Sequence, residues 1–162
     1  MSIRAAAPED AQAICAIWNP IIRDTTVTFT DTPKLAEDIS TLIKVRAGAF
    51  FVAEQAGEVA GFATYSAFRS GPGYWRSKEL SINLAPDVRG KGIGRALLEQ
   101  LETYAVAQEV HSLIAGISGE NPKAQAFHAK LGYQHVGLIP DVGYKFGRYI
   151  DLVLMQKILT PL

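Results

Sequence analysis

The chain has 162 residues and balances 16 lysines and arginines against 16 aspartates and glutamates, so its formal net charge is zero. That balance argues against a global field that would recruit nucleic acid or an anionic membrane. A single cysteine, Cys15, excludes an internal disulfide framework, and no apolar stretch approaches the roughly 20 residues that span a bilayer. Because the first residues also lack the apolar core of a secretion signal, we expect one domain, residues 1–162, in the cytoplasm.

The first half of the chain predicts a short edge strand, two helices and a β-hairpin. The strand is SIRAA, and apolar residues at helical spacing follow over residues 11–22, which places Cys15 on a buried stripe. Pro8 suits the first turn of that helix. A second helical pattern covers about residues 35–47. Two apolar runs, AFFVAEQ and EVAGFATYSAF, flank Ala56-Gly57 and indicate the hairpin.

The second half of the chain alternates strands and helices. The run KELSINL alternates Leu80, Ile82 and Leu84 with polar residues, which is typical of a strand with two different faces. An amphipathic helix beginning near Ile93 follows, and then a buried strand, HSLIAGIS. The chain continues with a helix that ends at Gly132 and a last strand, YIDLVLMQKIL. This mixture indicates an α/β or α+β fold with one sheet and a single core.

The stretch DVRGKGIG carries three glycines and two cations immediately before the amphipathic helix. Its spacing excludes a nucleotide P-loop, because Lys91 is followed by Gly92 rather than by a residue with a hydroxyl group. A dinucleotide fingerprint fits poorly, since its third glycine, counted from Gly92, would be Leu97. Arg89, Gly92 and Gly94 instead match the pattern of Arg or Gln, two residues, Gly, one residue, and Gly or Ala.

Such a loop suits a pyrophosphate. Glycines let backbone N–H groups approach a phosphate closely, and the positive end of the following helix favours negative charge. Arg89 and Lys91 add local cations. The competing interpretation is a solvated turn that caps a helix, which three glycines in five residues at a strand-to-helix junction disfavour.

The glycine stretch resembles the acetyl-CoA-binding signature of the GNAT family of N-acetyltransferases. Four segments, NPIIRDTTVTF, ELSINLAPDVRGKGIG, NPKAQAFHAKLGY and VGYKFGRYIDLVLMQ, are similar to the branch that acetylates phosphinothricin and methionine sulfone. The resemblance covers most of the chain. It implies a central mixed sheet flanked by helices, whose two middle strands splay apart around acetyl-CoA, and it also implies a homodimer.

The resemblance also implies where acetyl-CoA binds. Strand edges left unpaired by the splaying would hydrogen-bond the pantetheine arm, the glycine loop would hold the diphosphate, and Asn121 would contact the cofactor. For Asn121, the role of a helix N-cap before Pro122 is compatible with this contact. The implied cofactor-binding residues are Ile82, Asn83, Leu84, Arg89, Gly90, Lys91, Gly92, Ile93, Gly94 and Asn121.

Two catalytic residues follow from the same resemblance. Glu79 matches the glutamate that the branch uses as general base to take a proton from the substrate amine, directly or through water. His128 stands where the wider family has a tyrosine that protonates the leaving thiolate, and the branch also has histidine there. An exposed strand glutamate and a structural or solvated histidine remain the competing interpretations. The three histidines show no metal-ligand spacing, so no metal is expected.

Substrate recognition is predicted in less detail. The chain has Leu80 where the branch often has histidine, and Asn83 where it has an aromatic residue, which bears on substrate choice. Arg76 and Arg148 are candidates for the carboxylate of an amino-acid-like acceptor, although surface solvation is the alternative for both. The implied acceptor-binding residues are Pro72, Gly73, Tyr74, Arg76, Glu79, Leu80, Ser81, Phe146 and Arg148.

These features predict the transfer of an acetyl group from acetyl-CoA to the amine of a small amino-acid-like molecule. Direct transfer needs no covalent enzyme intermediate. Phosphinothricin, methionine sulfone and methionine sulfoximine remain alternative acceptors. Two other functions also stay open: acetylation of a protein or peptide, and acyl-CoA binding without catalysis, which the presence of both Glu79 and His128 disfavours.

Overall fold

The computed structural model describes residues 1–159, which form seven strands and four helices. The strands are β1 (Ser2–Ala5), β2 (Phe50–Gln55), β3 (Glu58–Ala67), β4 (Ser77–Leu84), β5 (Ser112–Ser118), β6 (Gln134–Lys145) and β7 (Arg148–Ile158). The helices are α1 (Ala11–Asp24), α2 (Ala36–Val45), α3 (Ile93–Ala107) and α4 (Pro122–Lys130). Short 3-10 turns begin with a proline at Pro8–Asp10, Pro72–Tyr74 and Pro86–Val88.

The strands form one mixed sheet in the order β1-β2-β3-β4-β5-β7-β6. β4 and β5 run parallel, and the other neighbouring strands run antiparallel. A parallel pair needs a crossover connection, and α3 lies in it. The glycine loop at the start of α3 therefore lies at the ends of the two middle strands.

The two faces of the sheet are covered by different helices. Adjacent residues of β3 point to opposite faces, and the buried Phe62 and Ala63 belong to separate hydrophobic clusters. Phe62 packs with α1 residues such as Ile22, whereas Ala63 shares a cluster with Leu97 and Leu101 of α3. The sheet thus has an α1/α2 face and an α3 face.

Most elements agree with the sequence prediction. The hairpin turns at Ala56 and Gly57, whose φ angles of 53° and 81° are those of a two-residue turn with both central residues at positive φ. Cys15 is buried on α1, as predicted. Pro8 differs from the prediction, because it begins a separate 3-10 turn and α1 begins only at Ala11.

β6 is the strand that the sequence analysis did not predict. Its pairing with β7 shifts register between His135 and Gly137 and again between Ile139 and Gly143. These irregularities interrupt the two-residue alternation by which a strand is recognised. β6 also forms an edge of the sheet, so most of its residues are exposed and give no buried stripe.

Candidate active site

A gap opens between the two middle strands. β4 and β5 pair from Ser77 with Ser112 to Leu80 with Ala115, and the pairing ends there. The following residues, 81–84 of β4 and 116–118 of β5, have no partner across the gap. The predicted splaying is therefore confirmed, and it begins directly after Leu80, two residues after Glu79.

The backbone of β4 presents alternate residues to this gap. Ala85 donates its N–H to Ala60 of the β3 side at 2.9 Å, and hydrogen-bonded pairs recur at every second residue of an antiparallel ladder. The N–H and C=O groups of Asn83 therefore point to β3, whereas those of Ile82 and Leu84 face the gap. The side chain of Arg89 reaches the Leu84 carbonyl at 3.3 Å, in agreement with this orientation. The prediction that the Asn83 backbone binds the cofactor is therefore wrong, because its N–H and C=O groups form hydrogen bonds to β3 within the sheet.

The glycine loop turns directly into α3. Gly92 is the N-cap residue with φ of 83°, a left-handed conformation that favours glycine, and no side chain caps the helix. A Cβ atom at Gly92 would meet no atom within 4 Å, so backbone geometry rather than crowding requires glycine. The uncapped N–H groups of the first helical turn leave the positive helix end open to an anion.

Gly94 has a different role from the other loop glycines. A Cβ atom at this position would lie 3.3 Å from Leu84 Cδ1 and 3.3 Å from the Phe127 ring. The absence of a side chain therefore lets α3 pack closely on β4 and α4. The neighbouring Ile93 side chain is buried, so this residue can offer a ligand only its backbone.

The glycine loop itself carries two cations, Arg89 and Lys91. Arg89 and Lys91 are exposed, and neither forms an ion pair within residues 1–159. Asn121 begins α4, and its side-chain oxygen accepts the Ala124 N–H at 3.2 Å, which confirms the predicted N-cap. The loop and the α4 N-terminus follow the ends of the parallel strands β4 and β5, so both lie at the same edge of the sheet.

Glu79 lies where the gap begins. Its side chain is on the α1/α2 face and leans toward β5, because a Cβ atom at Gly116 would lie 3.4 Å from Glu79 Oε1. Glu79 is half-buried, and this burial raises the pKa of its carboxyl group above the usual range. A carboxylate in this environment holds a proton more readily than an exposed one, as a general base requires.

His128 is buried on α4 between aromatic rings. Its Nδ1 lies 2.8 Å from the Ala124 carbonyl, and Phe127 and Tyr133 meet the ring edge to face. Burial lowers the pKa of His128, so the ring is neutral near pH 7. Because a carbonyl can only accept, Nδ1 carries the proton. The buried Nε2 then has a free lone pair, and it has no partner within residues 1–159.

A cavity of about 400 Å³ lies beyond the end of β5. Its wall includes the predicted Phe146 and Arg148 together with Asn121, and the other lining residues are Asp24, Thr25, Thr26, Val27 and Glu120. Arg148 is not free there, because two of its nitrogens lie 2.6 and 3.0 Å from the Glu120 carboxylate. Arg148, followed by a hydrogen bond from Thr26, lowers the pKa of Glu120 to about 2.

Other predicted acceptor-binding residues lie apart from this cavity. The prediction that Leu80 binds the acceptor is wrong, because its side chain is buried in the core on the α3 face, opposite Glu79. Arg76 lies at the paired end of β4, 3.8 Å from Glu109, and stacks on Trp75. The residues of the Pro72–Tyr74 turn are exposed. Ser81 shares the α1/α2 face with Glu79 and is half-buried.

Lys145 is a buried residue whose role the sequence analysis did not identify. Its Nζ donates to the carbonyls of Ile22 and Thr25, both at 2.6 Å, and to that of Thr28 at 2.9 Å. It thereby fixes the segment after α1 that forms one wall of the cavity. No sequence signal marks this role, because the acceptors are carbonyls more than a hundred residues away.

Within residues 1–159, no group of three or more histidine, cysteine, aspartate or glutamate side chains is arranged to hold a metal ion. Within the same residues, none of the helices has the length and apolar character that crossing a membrane requires.

Residues 15–133 match the family model described as acetyltransferase (GNAT) family. The chain belongs to this family. The match spans the gap, the glycine loop, Glu79 and His128, and it confirms the family resemblance stated from the sequence. The chain is accordingly an acetyl-CoA-dependent acetyltransferase.

Relatives of this GNAT acetyltransferase include the L-methionine sulfoximine/L-methionine sulfone acetyltransferase of Pseudomonas aeruginosa. The two are 36% identical over 99% of this chain and 95% of the relative. The structure of yncA, a putative acetyltransferase from Salmonella typhimurium with acetyl-CoA, superposes with a TM-score of 0.95. The two sequences are 32% identical, and the superposition covers 100% of this chain and 95% of the Salmonella typhimurium chain. The structure of ribosomal-protein-alanine N-acetyltransferase from Brucella melitensis superposes with a TM-score of 0.93 at 38% identity. The superposition covers 98% of this chain and 99% of the Brucella melitensis chain.

Proposed function

We propose that residues 1–162 form one cytoplasmic N-acetyltransferase domain that moves the acetyl group of acetyl-CoA to a small amino-acid-like molecule. Acceptors of the phosphinothricin, methionine sulfone or methionine sulfoximine type are the proposed class. The observation that carries the proposal is Glu79, a half-buried carboxylate where the cofactor gap begins. The name of the Pseudomonas aeruginosa relative supports the acceptor class.

The gap and the glycine loop together suit coenzyme A. The free edge of β4 offers the N–H and C=O groups of Ile82 and Leu84 to the pantetheine arm, as an added strand would use them. The loop from Arg89 to Gly94 offers N–H groups and two cations to the diphosphate. An N–H group on this edge, such as that of Leu84, would polarise the thioester carbonyl.

The proposed reaction is direct. Glu79 takes a proton from the substrate ammonium, and the neutral amine attacks the thioester carbonyl carbon to form a C–N bond. The tetrahedral intermediate then loses the C–S bond and the second proton of its nitrogen, which balances the proton that the coenzyme A thiolate takes up. The raised pKa of Glu79 suits the first step, because a typical amine holds its proton strongly at neutral pH.

His128 fits an accepting role better than a donating one. With Nδ1–H bound to Ala124, the neutral ring offers only the Nε2 lone pair. Protonating a thiolate from Nε2 requires a proton that this tautomer does not carry there. We therefore propose that His128 accepts a hydrogen bond or a proton near the departing sulfur, and that another group supplies the thiol proton.

Acetylation of a protein amine is the second candidate, and the name of the Brucella melitensis structure favours it. The cavity near Arg148 favours a small molecule instead, because its volume of about 400 Å³ lies within the range of small-molecule binding sites. A peptide would require an open groove that leads to Glu79.

A thiol-release assay with acetyl-CoA separates these functions. We expect release of coenzyme A with L-methionine sulfone, L-methionine sulfoximine or phosphinothricin, and none with peptides that begin with alanine. Acetylation of the peptides alone would support the protein substrate. Calorimetric binding of coenzyme A without acetylation of either group would support a non-catalytic acyl-CoA-binding module.

The homodimer is a further part of the proposal. Large apolar side chains are more than 40% exposed along β6, β7 and their turn: Val136, Leu138, Ile139, Val142, Tyr144, Phe146 and Tyr149. Such a cluster on an edge strand suits association with a second copy. Light scattering should give twice the 17.6 kDa chain mass, and Val142→Asp should lower it to one chain. A wild-type mass of 17.6 kDa would contradict the dimer.

A further inference from the structure

Arg46 is a half-buried cation without a carboxylate partner. It lies at the C-terminus of α2, and its Nη1 donates to Thr64 Oγ1 at 2.9 Å. None of the salt bridges within residues 1–159 includes Arg46. Burial lowers the pKa of its guanidinium group, which remains charged at any physiological pH. A charge held away from water normally requires a partner of opposite sign.

The two arginines predicted from the sequence are placed differently. Arg76 lies beside Glu109 at the paired end of β4, and Arg148 forms a two-pronged contact with Glu120. A ligand carboxylate would have to compete with an existing carboxylate at either position. Arg46 presents no such competitor within the described part of the chain.

The position of Arg46 relates it to Glu79. Thr64 lies directly opposite Ser81 in the β3–β4 ladder, and Ser66 lies opposite Glu79. Opposed residues share a face, with Cβ atoms about 5 Å apart, and diagonal neighbours lie about 7–8 Å apart. Thr64, whose hydroxyl oxygen accepts the hydrogen bond from Arg46, therefore lies on the α1/α2 face, one diagonal step from Glu79.

We propose that Arg46 binds the carboxylate of an amino-acid acceptor, an inference that rests on the proposed function. In an α-amino acid the carboxylate is two bonds from the amine, so an amine at Glu79 places the carboxylate near a cation on this face. One nitrogen of Arg46 is held by Thr64, and the remaining N–H groups suit a two-pronged contact with a carboxylate. Glu79 leans toward β5, which directs the acceptor side chain to the cavity beyond that strand.

The test compares L-methionine sulfone with its carboxamide, which keeps the amine and the side chain but has no negative charge. In Arg46→Gln we expect the KM for the acid to rise about 10- to 100-fold, the loss typical of a charge-assisted hydrogen bond. The KM for the carboxamide and the KM for acetyl-CoA should change less than about twofold, since neither depends on a carboxylate contact.

Two controls separate binding from packing. Thr64→Val removes the hydrogen bond that anchors Arg46 but keeps the charge, so it should raise the acid KM less than Arg46→Gln does. Lys44→Gln removes an exposed positive charge from the last turn of the same helix and should leave both KM values unchanged. Equal increases for acid and carboxamide in Arg46→Gln, or an unchanged acid KM, would overturn the inference alone. Failure of the wild-type enzyme to acetylate any amino acid would overturn the proposed function as well.

Discussion

Replacing Glu79 with glutamine is expected to lower kcat about 10²- to 10⁴-fold while acetyl-CoA binding stays unchanged. Loss of a general base typically lowers a rate by this factor. Glutamine keeps the size of the side chain but cannot take the amine proton. Single-turnover acetylation of L-methionine sulfone and calorimetry with coenzyme A measure the two quantities separately. An unchanged rate would remove Glu79 from the reaction.

The stability of Glu79→Gln shows whether the lost rate comes from chemistry or from unfolding. Because burial raises the pKa of Glu79 in the folded state, the contribution of this group to stability is present at low pH and is lost as pH rises through that pKa. At neutral pH the ionised carboxylate is therefore unfavourable, and the variant should melt at the same temperature or higher. Glu58→Gln, at the exposed start of β3, is the matched control and should affect neither rate nor melting.

The pH dependence of the wild-type enzyme should follow the same group. Activity should fall as pH decreases through the raised pKa of Glu79, since only the ionised carboxylate accepts the amine proton. The residual activity of Glu79→Gln should lack this acidic limb. An identical limb in both enzymes would assign it to another group.

Replacing Gly92 with valine is expected to weaken acetyl-CoA binding about tenfold or more. Valine at φ of 83° is strained by about 1–2 kcal/mol, so the loop abandons the conformation that aims its N–H groups at the phosphates. Calorimetric titration with acetyl-CoA measures the loss. The surrounding space is open at this position, so the fold itself should be retained.

Gly57 provides a matched control for Gly92. It has φ of 81°, lies in the β2–β3 turn, and likewise has no atom within 4 Å of an added Cβ. Gly57→Val should therefore lose a similar amount of thermal stability and keep its affinity for acetyl-CoA. Equal affinities in the two variants would place the diphosphate somewhere other than the glycine loop.

The sequence and the fold agree best where a signal is local. Helical spacing predicted the buried stripe that contains Cys15, and Ala56-Gly57 predicted the hairpin turn. The glycine loop was also recognised, because its residues and the helix that it begins are adjacent in the chain. β6 escaped prediction, since bulges break its alternation and its position at the sheet edge removes the buried stripe.

By itself, the amino-acid sequence determined the family, most of the elements and the order of Glu79, the glycine loop and His128 along the chain. The tertiary structure decided which groups are available: Asn83 has its backbone in the ladder, Leu80 faces the core, and Arg148 is held by Glu120. It also showed Arg46 without a carboxylate partner within residues 1–159, on the face of Glu79. The reason is physical, because periodicity reports local conformation, whereas pairing, burial and ionic partners depend on residues that only folding brings together.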